Sequence, residues 1–220
     1  MKRLPPQFDL PGFDAPSGPT LELELSLKCV VAGVDEAGRG AWAGPVVAAA
    51  VILDPARVPP GLNDSKQLSR KVREDLYDQI MTTAKVGIGQ ASPAEIDAHN
   101  ILAATFLAMG RAVAALASPP AHLLVDGNQR PNIPLPMTCV VKGDSRSLSI
   151  AAASIIAKVF RDRHMAELHQ TAPDYGWAQN AGYGTADHQR ALRLVGVTPN
   201  HRKSFAPIRH LLSEESVATS

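Results

Sequence analysis

Apolar residues in this chain fall into short strand-like runs separated by longer segments with helical spacing. Val30 to Asp35 is the first firm strand, and Val46 to Leu53, VVAAAVIL, follows Gly44-Pro45 as its antiparallel hairpin partner. Lys85 to Gln90, KVGIGQ, predicts a third strand. His122 to Asp126, HLLVD, and Thr138 to Lys142, TCVVK, predict two more, closed by Gly127-Asn128 and Gly143-Asp144. Between these runs the pattern turns helical. Ser69 is a good N-cap for a helix running to about Thr83, with Val72, Leu76, Gln79 and Ile80 near the inner spacing. Ser92-Pro93-Ala94-Glu95 combines a cap, a first-turn proline and a capping-box glutamate. The alanine-rich helix that it opens extends toward Ala117 and is ended by Ser118-Pro119-Pro120. Ser147 to Gln170 is a second alanine-dense helix, and a glycine-rich loop, Gly182 to Thr185, precedes a shorter one from about Asp187 to Val195. Strands first, then helices alternating with strands, predict an α/β fold: a mixed sheet flanked by helices.

Composition narrows the class. A chain of 220 residues fits one fairly large domain with a real core. Residues 1 to about 20 hold five prolines and little periodicity, the pattern of a flexible extension. Leu21 to Leu27 alternates Leu with Glu or Ser, as a short edge strand or part of the lead-in. No apolar segment approaches the length that crosses a bilayer, and MKRLPPQFDLPGF lacks the apolar stretch of a secretory signal. Cys29 and Cys139 both sit in apolar strand-like runs and read as small buried residues in a reducing compartment, so the expected location is cytoplasmic. A net charge of +1 hides an asymmetry. From His188 to His210 five basic residues (Arg190, Arg193, Arg202, Lys203, Arg209) and three histidines occur with no acid, a patch suited to phosphates.

The chemistry lies where strands end. Asp35-Glu36 closes the first strand, Asp126 closes HLLVD, and Asp144 follows TCVVK, each beside or near a glycine. Each aspartate alone is an ordinary turn former. If the strands are neighbours, the four carboxylates converge on one edge of the sheet, the edge where open α/β sheets bind ligands. Such a cluster repels itself unless cations are present, which predicts divalent metal. Oxygen-only ligation favours Mg²⁺ or Mn²⁺ over zinc. Because successive strand side chains face opposite ways, Asp35 is expected to point inward and Glu36 to reach in from the bend at Ala37-Gly38. Gly38-Arg39-Gly40, directly after the acids, allows backbone to approach a ligand closely.

In order along the chain, VAGVDEAGRG, GPVVAAAVI, NDSKQLS, LLVDGN, VVKGDS, IAAASIIAKVFRDR, GYGT and HRKSFAP resemble ribonuclease HII, the bacterial type 2 ribonuclease H, from about Val30 to Pro207. The resemblance implies a ribonuclease H-like mixed five-stranded sheet flanked by helices, with a helical C-terminal portion. It implies an N-terminal extension over 1–28, a catalytic domain over 29–212 and a tail over 213–220. The extension is too short for the extra substrate-binding domain of ribonuclease HIII, and the tail shows no clamp-binding aromatic motif. Asp35, Glu36, Asp126 and Asp144 would be the catalytic, metal-binding set, holding two ions about 4 Å apart for in-line displacement at phosphorus. Gly38, Arg39 and Gly40 would contact the ribose 2′-hydroxyl, and Tyr183 would stack on the neighbouring sugar. The implied reaction is cleavage of the RNA strand of RNA–DNA hybrids, and of DNA duplexes 5′ of an embedded ribonucleotide, leaving a 3′-hydroxyl and a 5′-phosphate. No protein nucleophile is needed.

Further phosphate contacts are open on the residues themselves. Lys66 and Lys158 read equally as phosphate holders or solvated lysines, and Ser154 reads as a phosphate holder less readily than as a small residue packing its helix. Arg202, Lys203 and Ser204 are candidate phosphate contacts, whereas His188 and His201 sit at no metal-ligand spacing. The expected assembly is a monomer. Two other readings share some of these features. Another nuclease of this fold would keep the acids without needing Gly38-Arg39-Gly40 or Tyr183. A non-catalytic nucleic-acid-binding module would leave four acids facing a polyanion.

Overall fold

The structure, a computed structural model, describes residues 18–218. Its centre is a five-stranded sheet of β1 (Val31–Ala37), β2 (Val46–Ile52), β3 (Lys85–Ala91), β4 (His122–Asp126) and β5 (Met137–Val140), in the order β3-β2-β1-β4-β5. β1 pairs antiparallel with β2 and parallel with β4, so it is the seam between an antiparallel half and a parallel half. β3 extends the first half antiparallel, and β5 extends the second in parallel. Around the sheet lie α1 (Glu22–Ser26), α2 (Arg70–Thr83), α3 (Pro93–His99), α4 (Ile101–Ala114), α5 (Leu148–Thr171), α6 (Trp177–Asn180), α7 (Ala186–Val195) and α8 (Ala206–Ala218).

Both faces of the sheet are covered, which is why β2 is apolar throughout and buried throughout. On one face Ala32, Val34, Ala48 and Ala50 pack with Ala104, Ala108 and Ala112 of α4. On the other, Val47, Ala49 and Val51 meet Leu76 and Ile80 of α2 and the run Ala151 to Ala157 of α5. The small residues let α5 ride directly on the central strand. A Cβ on Gly33 would stand 2.1 Å from the carbonyl carbon of Ser149, so a methyl there lifts the helix off β1. Truncating a residue such as Ile156 in this layer costs about 2–5 kcal/mol. A third cluster, with Met165, Tyr175, Trp177, Leu192 and Ile208, forms the helical C-terminal portion.

Several expectations are corrected. The single alanine-rich helix is two, because Asn100 takes φ 68° and its Oδ1 caps a new start by accepting from the N–H groups of Leu102 and Ala103 at 3.0 and 3.1 Å. Within Leu21 to Leu27, Glu22–Ser26 is helical, not a strand. Glu24 Oε1 accepts from the Ser149 N–H (2.9 Å) and from the hydroxyls of Ser147 and Ser149 (both 2.6 Å), clasping the start of α5. Residues 20–28 therefore belong with the folded unit, and only the first 17 residues of the expected extension lie outside the described residues. α8 runs through Ala218, past the expected domain end at 212, with Ile208 buried and Leu211 and Leu212 packed beside it. Cys29 is exposed because it precedes β1, and Cys139 is half-buried on the edge strand β5; both are free thiols. No helix of the described residues is long and apolar enough to cross a membrane.

Candidate active site

β1 runs two residues beyond Asp35, so Glu36 still pairs with Ala48 and Ala37 with Val47. Glu36 thus approaches from the strand itself, not from the bend that follows it. Alternation puts Ala32 and Val34 against α4 and Gly33 against α5, and Asp35 falls on the α5 face. The parallel pairing of Val34 with Val125 brings the ends of β1 and β4 side by side, and with them Asp35 and Asp126. Asp144 enters from the 3₁₀ turn Gly143–Ser145 that links β5 to α5. The turn is pinned to the neighbouring strand, since the Gly143 N–H donates to Asp126 Oδ1 at 2.7 Å.

The result is a cleft of about 400 Å³ lined by Asp35, Glu36, Gly38, Arg39, Gly40, Ser65, Lys66, Asp126, Ser154, Lys158 and Tyr183. Asp35 is only 5% exposed. Burial, then repulsion from Glu36 and Asp126 and more weakly from Asp144, pushes its carboxyl well above the usual range. Glu36 is raised by burial, opposed by Arg39 at 3.3 Å. Asp144 is raised by burial and by Asp64, opposed by Lys66 at 3.3 Å. Lys66, although burial works against its charge, is raised by Asp144 and Asp64.

Each of the four acids spends one oxygen on a protein donor: Asp35 Oδ1 on the Glu36 N–H, Glu36 Oε1 on Arg39, Asp126 Oδ1 on Gly143, and Asp144 Oδ2 on Lys66. Among the described residues no donor reaches the second oxygen of any of them, so a second oxygen of each is open to a cation. No three of these side chains are already closed to the spacing of a metal cage among the described residues.

The loop after β1 is held from beneath by two buried guanidinium groups. Arg161 of α5 donates to the carbonyls of Pro45 (2.9 Å), Ala43 (3.1 Å) and Ala181 (2.9 Å). Arg202 donates to the carbonyls of Gly44 (3.0 Å) and Arg39 (2.9 Å). With loop carbonyls drawn inward, the N–H groups of Gly38, Arg39 and Gly40 have no partner among the described residues. Gly38, at φ 93°, has no room for a side chain, because a Cβ would lie 1.9 Å from Arg161 Nε. Tyr183 stands across the cleft, 41% exposed, with its Cε1 3.7 Å from where a Cβ on Gly40 would sit.

The structure brings most of the expected site residues together and separates three. Arg202 is fully buried and binds loop carbonyls, so it is no phosphate contact. The backbone N–H groups of Lys203 and Ser204, and the Ser204 hydroxyl, are bound to Asp97, and neither residue lines the cleft. The basic stretch is accordingly no single surface patch, since His188 and His201 are buried too. Ser154 is buried with its Oγ 2.8 Å from that of Ser65, and Lys158 is paired with Asp162 at 2.7 Å while facing the cleft. Sequence reading missed Asp64, Ser65 and Arg161. The first two adjoin Lys66 in the DSK stretch, which was signal enough; Arg161 looked like any surface arginine on a helix.

Comparison with known proteins agrees with this geometry. The sequence family described as Ribonuclease HII matches residues 32–208. A protein of Jannaschia sp. (strain CCS1) described as Ribonuclease HII is 59% identical over 196 residues, 89% of this chain and 98% of its own. The crystal structure of the ribonuclease H2 from Pyrococcus horikoshii OT3 superposes with a TM-score of 0.72 at 27% identity, covering 86% of this chain and 99% of that one. The crystal structure of Bst-RNase HIII in complex with Mn²⁺ shares the fold at 22% identity and a TM-score of 0.70, covering 84% of this chain and 70% of that one.

Proposed function

The chain belongs to the ribonuclease HII family of ribonuclease H endonucleases, and from that premise we propose that its cleft cuts RNA–DNA hybrids, and DNA duplexes 5′ of an embedded ribonucleotide. Asp35, Glu36, Asp126 and Asp144 are the proposed holders of Mg²⁺ or Mn²⁺. The observation that carries this reading is Asp35, a carboxylate buried at the seam of the sheet beside three like charges and with one oxygen undonated. A divalent cation relieves that arrangement, and hard oxygen donors suit Mg²⁺ or Mn²⁺. When bound, the ions supply Lewis acidity for attack of water at phosphorus and for departure of the 3′ oxygen.

The chain's own residues do the rest. The free N–H groups of Gly38, Arg39 and Gly40 can donate to a ribose 2′-oxygen, the atom that separates RNA from DNA. Glycine on both sides lets the sugar come close enough for that bond. Tyr183 faces them, so a sugar seated on the loop lies against its ring. Lys66 and Lys158 line the same cleft and offset the phosphate charge that substrate brings to an acidic site. Among the described residues the serines that line the cleft, Ser65 and Ser154, are hydrogen-bonded to each other, in keeping with direct hydrolysis to a 3′-hydroxyl and a 5′-phosphate. The protein is proposed to act as a monomer.

A labelled DNA duplex with one ribonucleotide, incubated with the protein and Mg²⁺ or Mn²⁺, tests the reading. A single chelator-sensitive cut on the 5′ side of the ribonucleotide is expected. Equal cutting of an all-DNA duplex would refute ribose recognition, and binding without cutting would refute the assigned chemistry.

A further inference from the structure

Under the Tyr183 loop lie two imidazoles that the chemistry above does not use. His188 of α7 and His201 are 0% and 1% exposed, with their Nε2 atoms 3.0 Å apart. Their protons can be placed from the partners alone. The Thr198 N–H donates to His201 Nδ1 at 3.0 Å, so that nitrogen is an acceptor. The Tyr183 carbonyl can only accept, so His188 Nδ1, 3.0 Å away, carries a proton. The Trp177 indole N–H points at His188 Nε2 from 3.4 Å, which makes that nitrogen an acceptor as well. The proton between the rings therefore sits on His201 Nε2 and is donated to His188 Nε2. Both rings are neutral and hold opposite tautomers. A further proton on either ring would set one N–H against another.

The surroundings keep them so. Burial lowers His188, and burial with repulsion from His188 lowers His201 to about 4. Tyr175 packs edge-on against His201 with its own hydroxyl donated to the Gly196 carbonyl. Among the described residues no carboxylate bonds to either ring. At one end the pair holds the Tyr183 carbonyl, which also accepts from the Thr185 N–H at 2.8 Å. At the other, His201 bridges to Ala43, and the next residue, Arg202, holds the Arg39 carbonyl. The two residues thus connect the two walls of the cleft, through their rings on the Tyr183 side and through the His201 backbone on the other.

We propose that His188 and His201 are positioning residues: an ordered pair of neutral imidazoles that sets the gap between Tyr183 and Gly40 before a ribose enters it. The proposal rests on the reading of this gap as the ribonucleotide site. Two measurements test it. Proton–nitrogen correlation spectra of the ¹⁵N-labelled protein should show His201 as the Nε2–H tautomer and His188 as the Nδ1–H tautomer at neutral pH; a swapped or doubly protonated ring overturns the pair. In steady-state cleavage of a duplex with one ribonucleotide, His188→Leu should raise KM about tenfold and leave kcat within about twofold, since it removes binding alignment and not chemistry. His188→Asn, whose amide N–H reaches the Tyr183 carbonyl, should restore most of that KM. If the Leu variant does not fold, His188→Asn should still outperform His188→Gln, whose amide reaches the His201 ring instead; equal KM values for the two overturn the proposal. A wild-type protein that fails to cut the duplex refutes the reading of the cleft. Intact wild-type cutting with an unchanged KM in a folded Leu variant refutes the positioning role alone.

Discussion

Gly38 and Gly40 flank the same arginine, yet a methyl group should act on them in opposite ways. At Gly38 the backbone is left-handed, with φ 93°, and a Cβ would fall 1.9 Å from Arg161 Nε. The backbone term alone costs about 1–2 kcal/mol. Arg161 is buried and bound to three carbonyls, so it cannot swing aside without giving up charged hydrogen bonds of about 1.5–3 kcal/mol each. Losing one of them brings Gly38→Ala to about 3–5 kcal/mol, a large share of the roughly 5–15 kcal/mol that holds a domain together. For a chain of this size that is a fall of about 6–20 °C in thermal midpoint. At Gly40 the nearest atom to a Cβ is Tyr183 Cε1 at 3.7 Å, ordinary contact, so Gly40→Ala should stay within about 0.5 kcal/mol of wild type. Its methyl, however, occupies the gap proposed for the sugar, and cleavage at a ribonucleotide should fall about 10- to 100-fold through KM. Urea unfolding of both variants in chelator, beside cleavage kinetics, checks the pair. Similar unfolding midpoints for the two variants would refute the reasoning about Arg161.

Three further outcomes are expected. Asp35 has a folded pKa above its unfolded value, so its contribution to stability is present in acid and is lost as pH rises from about 4 through the folded pKa. In chelator, Asp35→Asn should therefore be more stable than wild type at neutral pH, and denaturation curves at acid pH should bring the two together. Asp126→Asn keeps an oxygen for the Gly143 N–H, so its thermal midpoint should barely move while cleavage falls more than about 100-fold and duplex binding persists. Glu24→Ala strips the Ser149 N–H and the hydroxyls of Ser147 and Ser149 of their acceptor; a loss of about 1–3 kcal/mol in unfolding, with cleavage of the folded protein unchanged, is expected.

What could be read beforehand was whatever rests on local pattern. The caps at Ser69 and Ser92 and the strand His122–Asp126 are visible because each depends on a few consecutive residues. The break at Asn100 was hidden, since an asparagine inside alanine-rich helical spacing carries no mark of positive φ. Charge misled in the opposite direction. Arg161 and Arg202 look solvent-facing in sequence, and only the fold supplies the carbonyls that let them be buried without carboxylates. The acids were legible because a carboxylate ending an apolar run has no packing reason to be there. Asp64 ends no apolar run, and only its place beside Lys66 in the DSK stretch marks it.

The seam at β1 also bears on the order in which the protein is made. Its hairpin with β2 is local and can close while the chain is still being synthesised. The parallel pairing with β4 must wait for α2, β3, α3 and α4 to leave the ribosome, and the loop that it closes carries a correspondingly high entropic cost. A nascent chain with only the hairpin thus displays Asp35 and Glu36 to solvent without Asp126 or Asp144 beside them. Assembly of the four acids consequently waits on that long-range pairing, and a chain terminated before β4 carries only Asp35 and Glu36 of the four.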